Sequence, residues 1–305
     1  MMRVMVTGVA GQLGYEVVSE LLLKNFEVYG TDIREPADMA FYVPGKARFV
    51  QLDITDENEV MTAVTGIAPD AVIHCAAWTA VDLAEDEENR DKVFAVNSLA
   101  AQYIANACRE NGAKMIYIST DYVFDGQGDT PWQPDCKDYA PLNVYGQSKL
   151  DGELAVSRTL DQYFIVRIAW AFGKNGNNFV RTMLNLSEKY ETLRVVNDQI
   201  GTPTYMPHLA RLLVQMVQTD EYGYYHATNE GGYISWYDFA CEIYKQAGLE
   251  VKVTPVDSGA FAAKAKRPHN SRMDKSKLDE AGFERLPLWQ DAVHRYLIEL
   301  GEIDN

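Results

Sequence analysis

Tyr145 and Lys149 close the run Tyr145-Gly146-Gln147-Ser148-Lys149. On a helix, side chains at i and i+4 lie one above the other, so this spacing stacks a phenol on an ammonium. An unperturbed phenol titrates near ~10 and is a poor acid at neutral pH. A cation beside it favours the phenolate and lowers that value, so the pair predicts a proton donor, Tyr145, tuned by Lys149. Upstream, Ser119-Thr120-Asp121 ends an apolar run. A hydroxyl there can bind the oxygen that Tyr145 protonates and stabilise developing alkoxide charge. Tyrosine four residues before lysine recurs on many ordinary helices, so the weight of the pair rests on its surroundings.

Those surroundings begin at Thr7-Gly8-Val9-Ala10-Gly11-Gln12-Leu13-Gly14, which follows the first apolar run and opens the first helical stretch. Its G-x-x-G-x-x-G spacing allows a tight turn, close backbone approach to a pyrophosphate and tight helix–strand packing. The helix N-terminus adds free N–H groups and positive dipole. A purely structural strand–helix turn is the plainer alternative. Asp32 ends the second apolar run, where a carboxylate can accept from the adenosine ribose and repel a 2′-phosphate, favouring NAD. Arg34 can pair with a 2′-phosphate or be a solvated loop charge, so NADP stays open. Asp53-Ile54 follows the third run, either facing an adenine or capping the next helix. Ala76 and Ala77, after Cys75, are small enough for a dinucleotide to cross the strand ends. The acidic run Glu85–Glu88 reads as the dipole-favoured first turn of a helix rather than a metal site.

To position these groups the chain must alternate strands and helices. Apolar runs rich in Val and Ile fall at Arg3–Thr7, Glu27–Asp32, Arg48–Leu52, Ala71–Cys75, Lys114–Ser119 and Phe164–Ala169. Helical periods fall between them at Gln12–Lys24, Asp56–Val64, about Glu87–Glu110 and Ser148–Thr159. This order predicts an α/β fold, a doubly wound parallel (Rossmann) sheet over residues 1–172. After a turn-rich break at Gly173–Asn178, short strands (Leu193–Val196, Tyr224–Ala227, Val251–Val256) alternate with helices near Phe179–Lys189, Leu209–Gln218, Tyr237–Gln246 and Trp289–Leu300. Residues 173–305 are therefore expected to form a smaller α/β lobe for substrate, with some segments rejoining the first sheet.

Composition narrows the class. Acidic residues outnumber basic ones 44 to 28, a net charge of −16 that repels nucleic acid and anionic lipid. No apolar run approaches the ~20 residues of a membrane span. The first residues enter a strand pattern at once, leaving no room for a signal peptide, so a cytoplasmic protein is expected. Cys75, Cys108, Cys136 and Cys241 lie far apart, and the five histidines form no H-E-x-x-H, so no protein-held metal is expected.

With the glycine turn, Asn97 and the Thr120/Tyr145/Lys149 set in place, the chain resembles the extended short-chain dehydrogenases/reductases. More narrowly it is similar to the dTDP-4-dehydrorhamnose reductase family, through segments spread over nearly the whole chain. They are Cys75–Asp82, Ser119–Gly126 (S-T-D-Y-V-F-D-G), Pro141–Gly146, Val166–Trp170, Gly176–Phe179, Asp198–Thr204 and Ala265–Pro268. The resemblance implies reduction, by NADPH or NADH, of the C4 ketone of a nucleotide-linked 4-keto-6-deoxysugar. Tyr145 would protonate the oxygen, Thr120 hold it, and Lys149 bind the nicotinamide ribose. Cofactor contacts are implied from Gly8, Gly11, Gln12, Leu13, Gly14, Asp32, Arg34, Asp53, Ile54, Ala76, Ala77, Thr79, Asn97, Ser119, Tyr145 and Lys149. Substrate contacts are implied from Thr120, Asp121, Tyr122, Trp170, Asn178 and Arg267, the last a fork suited to diphosphate. Some relatives dimerise through Mg2+ held by surface glutamates; a homodimer and Mg2+ are thus raised without positions that map onto this chain.

One departure is an insertion over Glu35–Gly45, beside the adenosine, which bears on cofactor preference. Two rival readings share the fold. A 4,6-dehydratase usually carries an Asp-Glu pair after the active-site Thr, but Asp121 is followed by Tyr122; an epimerase would retain its NAD. A non-catalytic NADP-binding subunit, similar to the regulatory subunit of some methionine adenosyltransferases, would keep the fold without turnover.

Overall fold

The structure, a computed structural model, describes residues 1–36 and 47–304. Most of the Glu35–Gly45 insertion, from residue 37 on, lies outside the described residues. The elements of the first half are β1 (Arg3–Thr7), α1 (Gln12–Leu23), β2 (Glu27–Asp32), β3 (Arg48–Gln51), α2 (Glu57–Ile67) and β4 (Ala71–His74), then α3 (Glu87–Phe94), α4 (Ala100–Asn111), β5 (Lys114–Thr120), α5 (Val144–Thr159) and β6 (Tyr163–Ile168). After them come β7 (Ala171–Phe172), α6 (Phe179–Ser187), β8 (Thr192–Val196), β9 (Ile200–Gly201), β10 (Thr204–Tyr205), α7 (Met206–Met216), β11 (Gly223–His226), β12 (Ile234–Ser235), α8 (Trp236–Gln246), β13 (Lys252–Val256), α9 (Ser276–Glu280) and α10 (Trp289–Leu300).

Seven strands form one sheet in the order β11-β6-β5-β4-β1-β2-β3, every neighbour parallel. The order reverses between β1 and β4, the point where such sheets open a crevice at their carboxyl ends. Alternate residues of β1 feed opposite cores. Val4 and Val6 pack with Val17, Val18 and Leu21 of α1 and Leu209 and Leu213 of α7. Met5 packs with Val60 and Val64 of α2, Ile104 of α4 and Val156 of α5. Burial on both faces explains the near-continuous apolar strands.

The chain beyond residue 173 serves both bodies. Its strand β11 extends the large sheet beside β6, and α7 packs on α1. A third core gathers Phe172, Val180, Leu184, Phe239, Ile243, Trp289 and Tyr296 from β7, α6, α8 and α10. The single helix expected over Glu87–Glu110 is interrupted: α3 and α4 are joined by a π-helical turn, Ala95–Leu99. Tyr117 explains the space this needs, because its hydroxyl donates to the Asn97 carbonyl at 3.0 Å, inside the widened turn. Among the described residues no helix is long and apolar enough to cross a membrane.

Candidate active site

The carboxyl ends of β1, β2, β4, β5 and β6 open into a cavity of about 1440 Å³ that continues to the third core. That is larger than the ~300–1,000 Å³ of a typical single-ligand pocket and suits two ligands side by side. At one end sits the glycine turn. Gly8 has φ of +69°, and a Cβ there would meet the Ala76 backbone at 2.7 Å. Glycine is thus required for the turn to pass under β4. A Cβ on Gly14 would collide with the Gly8 carbonyl, and one on Gly11, which lines the cavity at the α1 N-terminus, would press on the same oxygen at 3.2 Å. Asp32 holds the turn in shape: its Oδ2 accepts from the Ala10 N–H at 3.0 Å, and its Oδ1 accepts from the Arg34 N–H (3.1 Å) and Nε (3.3 Å). Asp53 accepts from the Thr55 N–H and hydroxyl, while the cap of α2 is Asp56.

The chemical end is set by α5, which begins at Val144, one turn earlier than the periodicity alone indicates. Asn143 caps it by accepting from the Gly146 N–H at 2.7 Å, and Glu85 Oε1 accepts from the Val144 N–H at 2.7 Å. The acidic run therefore does more than start α3: its first member fixes the helix that carries Tyr145. Tyr145 is half-buried at the cavity wall and meets Tyr122 edge-on, ring centroids 5.6 Å apart. The Thr120 hydroxyl donates to Asp121 Oδ1 at 3.0 Å.

Electrostatics correct one expectation. The Tyr145 phenol is pushed above the ordinary tyrosine value, first by burial and then by the Asp121 charge, with the Thr120 hydrogen bond opposing. The Lys149 ammonium lies over the Tyr117 ring, 4.1 Å from the centroid. Burial pulls Lys149 down to about 7, with Glu153, one turn further along α5, partly restoring it. A phenol kept protonated is the form in which Tyr145 can give a proton away.

Every residue singled out from the sequence lines this cavity except one. Asn97 stands outside its wall: its side chain donates to the Trp78 carbonyl (3.1 Å) and Ser148 Oγ (3.0 Å) and accepts from the Trp78 N–H (2.8 Å). It clamps the Cys75–Asp82 segment to α5, and both hydrogens of its amide are used there. Trp170 is in the left-handed region at φ of +51° and stacks on Trp236 at 3.7 Å, with Phe179 beside them. Asn178 lines the wall while capping α6, its amide donating to the Gly173 carbonyl and the Tyr296 hydroxyl. Arg267 reaches the cavity rim paired with Asp82 at 2.6 Å.

His74, Trp78, Lys92, Phe179 and Trp236 also line the cavity, beyond the residues to which the sequence assigns a role. Trp236 had a usable signal: Ser235-Trp236-Tyr237-Asp238 is a capping box that starts α8 at Trp236. His74 had none, since it reads as part of an apolar strand. Several buried polar atoms in the wall lack partners among the described residues, namely Gln12 Oε1, Thr31 Oγ1, His74 Nε2, Ser119 Oγ and Asp121 Oδ2. Unpaired buried polar groups are costly. Their clustering along the strand ends, with the open helix N-terminus, fits a polar dinucleotide. Among the described residues no group of three or more His, Cys, Asp or Glu forms a metal site within the chain.

The comparisons agree with this architecture. The family model described as RmlD substrate binding domain matches residues 2–301. The Escherichia coli K12 dTDP-4-dehydrorhamnose reductase is 36% identical, covering 98% of this chain and 98% of its own. The Streptomyces griseus enzyme of the same name is 39% identical, covering 95% of this chain and 91% of its own. Among solved structures, the Bacillus anthracis dTDP-4-dehydrorhamnose reductase in complex with NADP superposes with a TM-score of 0.88 at 39% identity, covering 98% of this chain and all of that one. Sequence, fold and site converge, and the chain belongs to the RmlD substrate-binding-domain family, which includes the dTDP-4-dehydrorhamnose reductases.

Proposed function

We propose that the protein reduces the C4 ketone of dTDP-4-dehydro-L-rhamnose to give dTDP-L-rhamnose, with NADPH or NADH as reductant. The observation that carries this reading is the juxtaposition, in one cavity, of the Tyr145 phenol, the Thr120 hydroxyl and a glycine-turn helix N-terminus. The reduced nicotinamide, when bound, supplies the hydride to the ketone carbon. Tyr145 donates its phenolic proton to the ketone oxygen and recovers it from solvent between turnovers, so a ketone plus hydride and proton become an alcohol. Thr120 holds that oxygen, and Lys149 is the cation for the nicotinamide ribose. Trp170, backed by Trp236, forms an apolar wall for the deoxysugar, and Arg267 offers its fork to the diphosphate. Residues 1–172 would hold mainly the cofactor and residues 173–305 mainly the sugar nucleotide. The proposal includes a cytoplasmic location and a homodimer, both supported by the family resemblance.

The test is oxidation of NADPH and NADH by the purified protein. It is expected only when a dTDP-4-keto-6-deoxyhexose is supplied. No oxidation with any such sugar, together with a stoichiometric complex with a synthetase, would instead support the non-catalytic subunit.

Cofactor choice turns on Arg34. Because Asp32 is already occupied by the Ala10 N–H and by Arg34, its charge does not stand bare before a 2′-phosphate. The Arg34 side chain is half exposed at the cavity rim, with two terminal nitrogens beyond the one that Asp32 takes. A hydrogen bond to a charged group is worth about 1.5–3 kcal/mol. Arg34→Ala is therefore expected to raise the KM for NADPH roughly 10- to 100-fold while leaving that for NADH within about threefold. Equal changes for both cofactors would remove Arg34 from the phosphate site.

A further inference from the structure

The hydrogen-bond valence around Thr120 holds a constraint on the reaction. A hydroxyl oxygen has one hydrogen and two lone pairs. Here the hydrogen goes to Asp121 Oδ1 at 3.0 Å and the Tyr122 N–H donates to the oxygen at 3.2 Å. Its one hydrogen is committed to Asp121. A ketone oxygen has only lone pairs to offer, so while Asp121 is a carboxylate Thr120 has no hydrogen to give it. Thr120 can serve as a donor only if its hydrogen is released.

We propose that Asp121 enters the reaction as the neutral acid, donating to Thr120 Oγ1 and so turning the Thr120 hydrogen toward the substrate ketone. This deepens the proposed function and rests on its reading of Thr120 and Tyr145. With Asp121 and the Tyr122 N–H both donating to Thr120, the oxygen's lone pairs are used. The Tyr145 hydrogen then has no acceptor at Thr120 and turns to the same ketone, and two donors converge where alkoxide charge develops. Asp121 is a positioning residue that acts through Thr120.

The surroundings favour the neutral form. Asp121 is fully buried, and its Oδ2 has no well-formed hydrogen bond among the described residues. Burial raises the carboxyl to about 6, against the pull of the Ser271 and Thr120 hydroxyls. The titratable groups around it are Tyr122 on its own turn and Tyr145 from α5, both of which feel its charge. Lys149 lies one turn further along α5, and the Arg267–Asp82 pair acts on Tyr122 from the far side. Excluding water by filling the cavity raises a buried carboxyl further.

The experiment measures kcat at saturating NADPH and dTDP-4-keto-6-deoxyhexose between about pH 5.5 and 9, a range in which kcat reports ionisations of the bound complex. Two groups, Asp121 and Lys149, must both be protonated, so log kcat of the parent should fall with a limiting slope of about two as pH rises. Asp121→Asn presents a donor to Thr120 that does not titrate. It should keep kcat at pH 6 within about tenfold of the parent and fall with a slope of about one. A slope of one in the parent overturns the proposal even if the variant does not fold. So do equal slopes in parent and variant, or a loss above a hundredfold in Asp121→Asn at pH 6. No turnover by the parent at any pH overturns the underlying reading, and this proposal with it.

Discussion

Tyr145→Phe is expected to lower kcat by about a thousandfold and to leave the affinity for NADPH within about twofold of the parent, since a positioned general acid contributes ~10²- to 10⁴-fold. The ring would stay where it is, edge-on to Tyr122 in the cavity wall, so only the proton is lost. The raised phenol value makes the expectation sharper. Reduction consumes a protonated acid, and burial holds Tyr145 in that form across the neutral range. Alcohol oxidation would need the phenolate, the form that burial and the Asp121 charge both disfavour. Single-turnover measurement of NADPH oxidation, with cofactor binding followed separately by fluorescence, distinguishes loss of chemistry from loss of binding. A variant retaining a tenth or more of the parent rate would mean that some other group protonates the ketone.

The features that were readable in the sequence are those dictated by local geometry. The glycine turn needs Gly8 at positive φ and a bare Gly14 whatever else the chain does, and the sheet strands had to be apolar on both faces. What could not be read depends on contacts made across the fold. Asn97 sits on a face that matches a cofactor residue by resemblance, yet the π-helical turn rotates it toward the Trp78 backbone and Ser148. Spacing places Lys149 one turn from Tyr145 but does not reveal the contact of its ammonium with the Tyr117 ring carried by β5. The two-residue strands β7, β9, β10 and β12 are too short to show any period, so the wall built from Trp170 and Trp236 stayed hidden. Tertiary packing also decided the start of α5, where Glu85 supplies an acceptor from a distant segment.

The largest effect on stability is expected at Arg167, which is wholly buried on β6. Its guanidinium makes a two-pronged pair with Glu153 of α5, at 2.8 and 2.7 Å, and donates to the Pro134 carbonyl at 3.0 Å and the Tyr139 hydroxyl at 3.2 Å. The rings of Phe124 and Tyr224 lie 4.9 Å from it, and His226 beside it is held neutral by burial and by this same charge. Arg167→Met would leave Glu153 buried and unpaired, at a cost of about 3–5 kcal/mol. For a chain of this size that corresponds to a fall in Tm of roughly 5–8 °C. Adding Glu153→Leu removes the stranded charge and should recover most of the loss, because a buried ion pair replaced by apolar side chains is often no less stable. The double variant then separates structure from chemistry. Lys149 loses the carboxylate that partly restores its protonation, so its ammonium should deprotonate at lower pH. The alkaline fall in kcat should begin earlier in a protein that is folded and stable. Thermal denaturation within about 1 kcal/mol of the parent for Arg167→Met alone would show that the pair contributes little. An unshifted pH profile in the double variant would show that Glu153 does not reach Lys149.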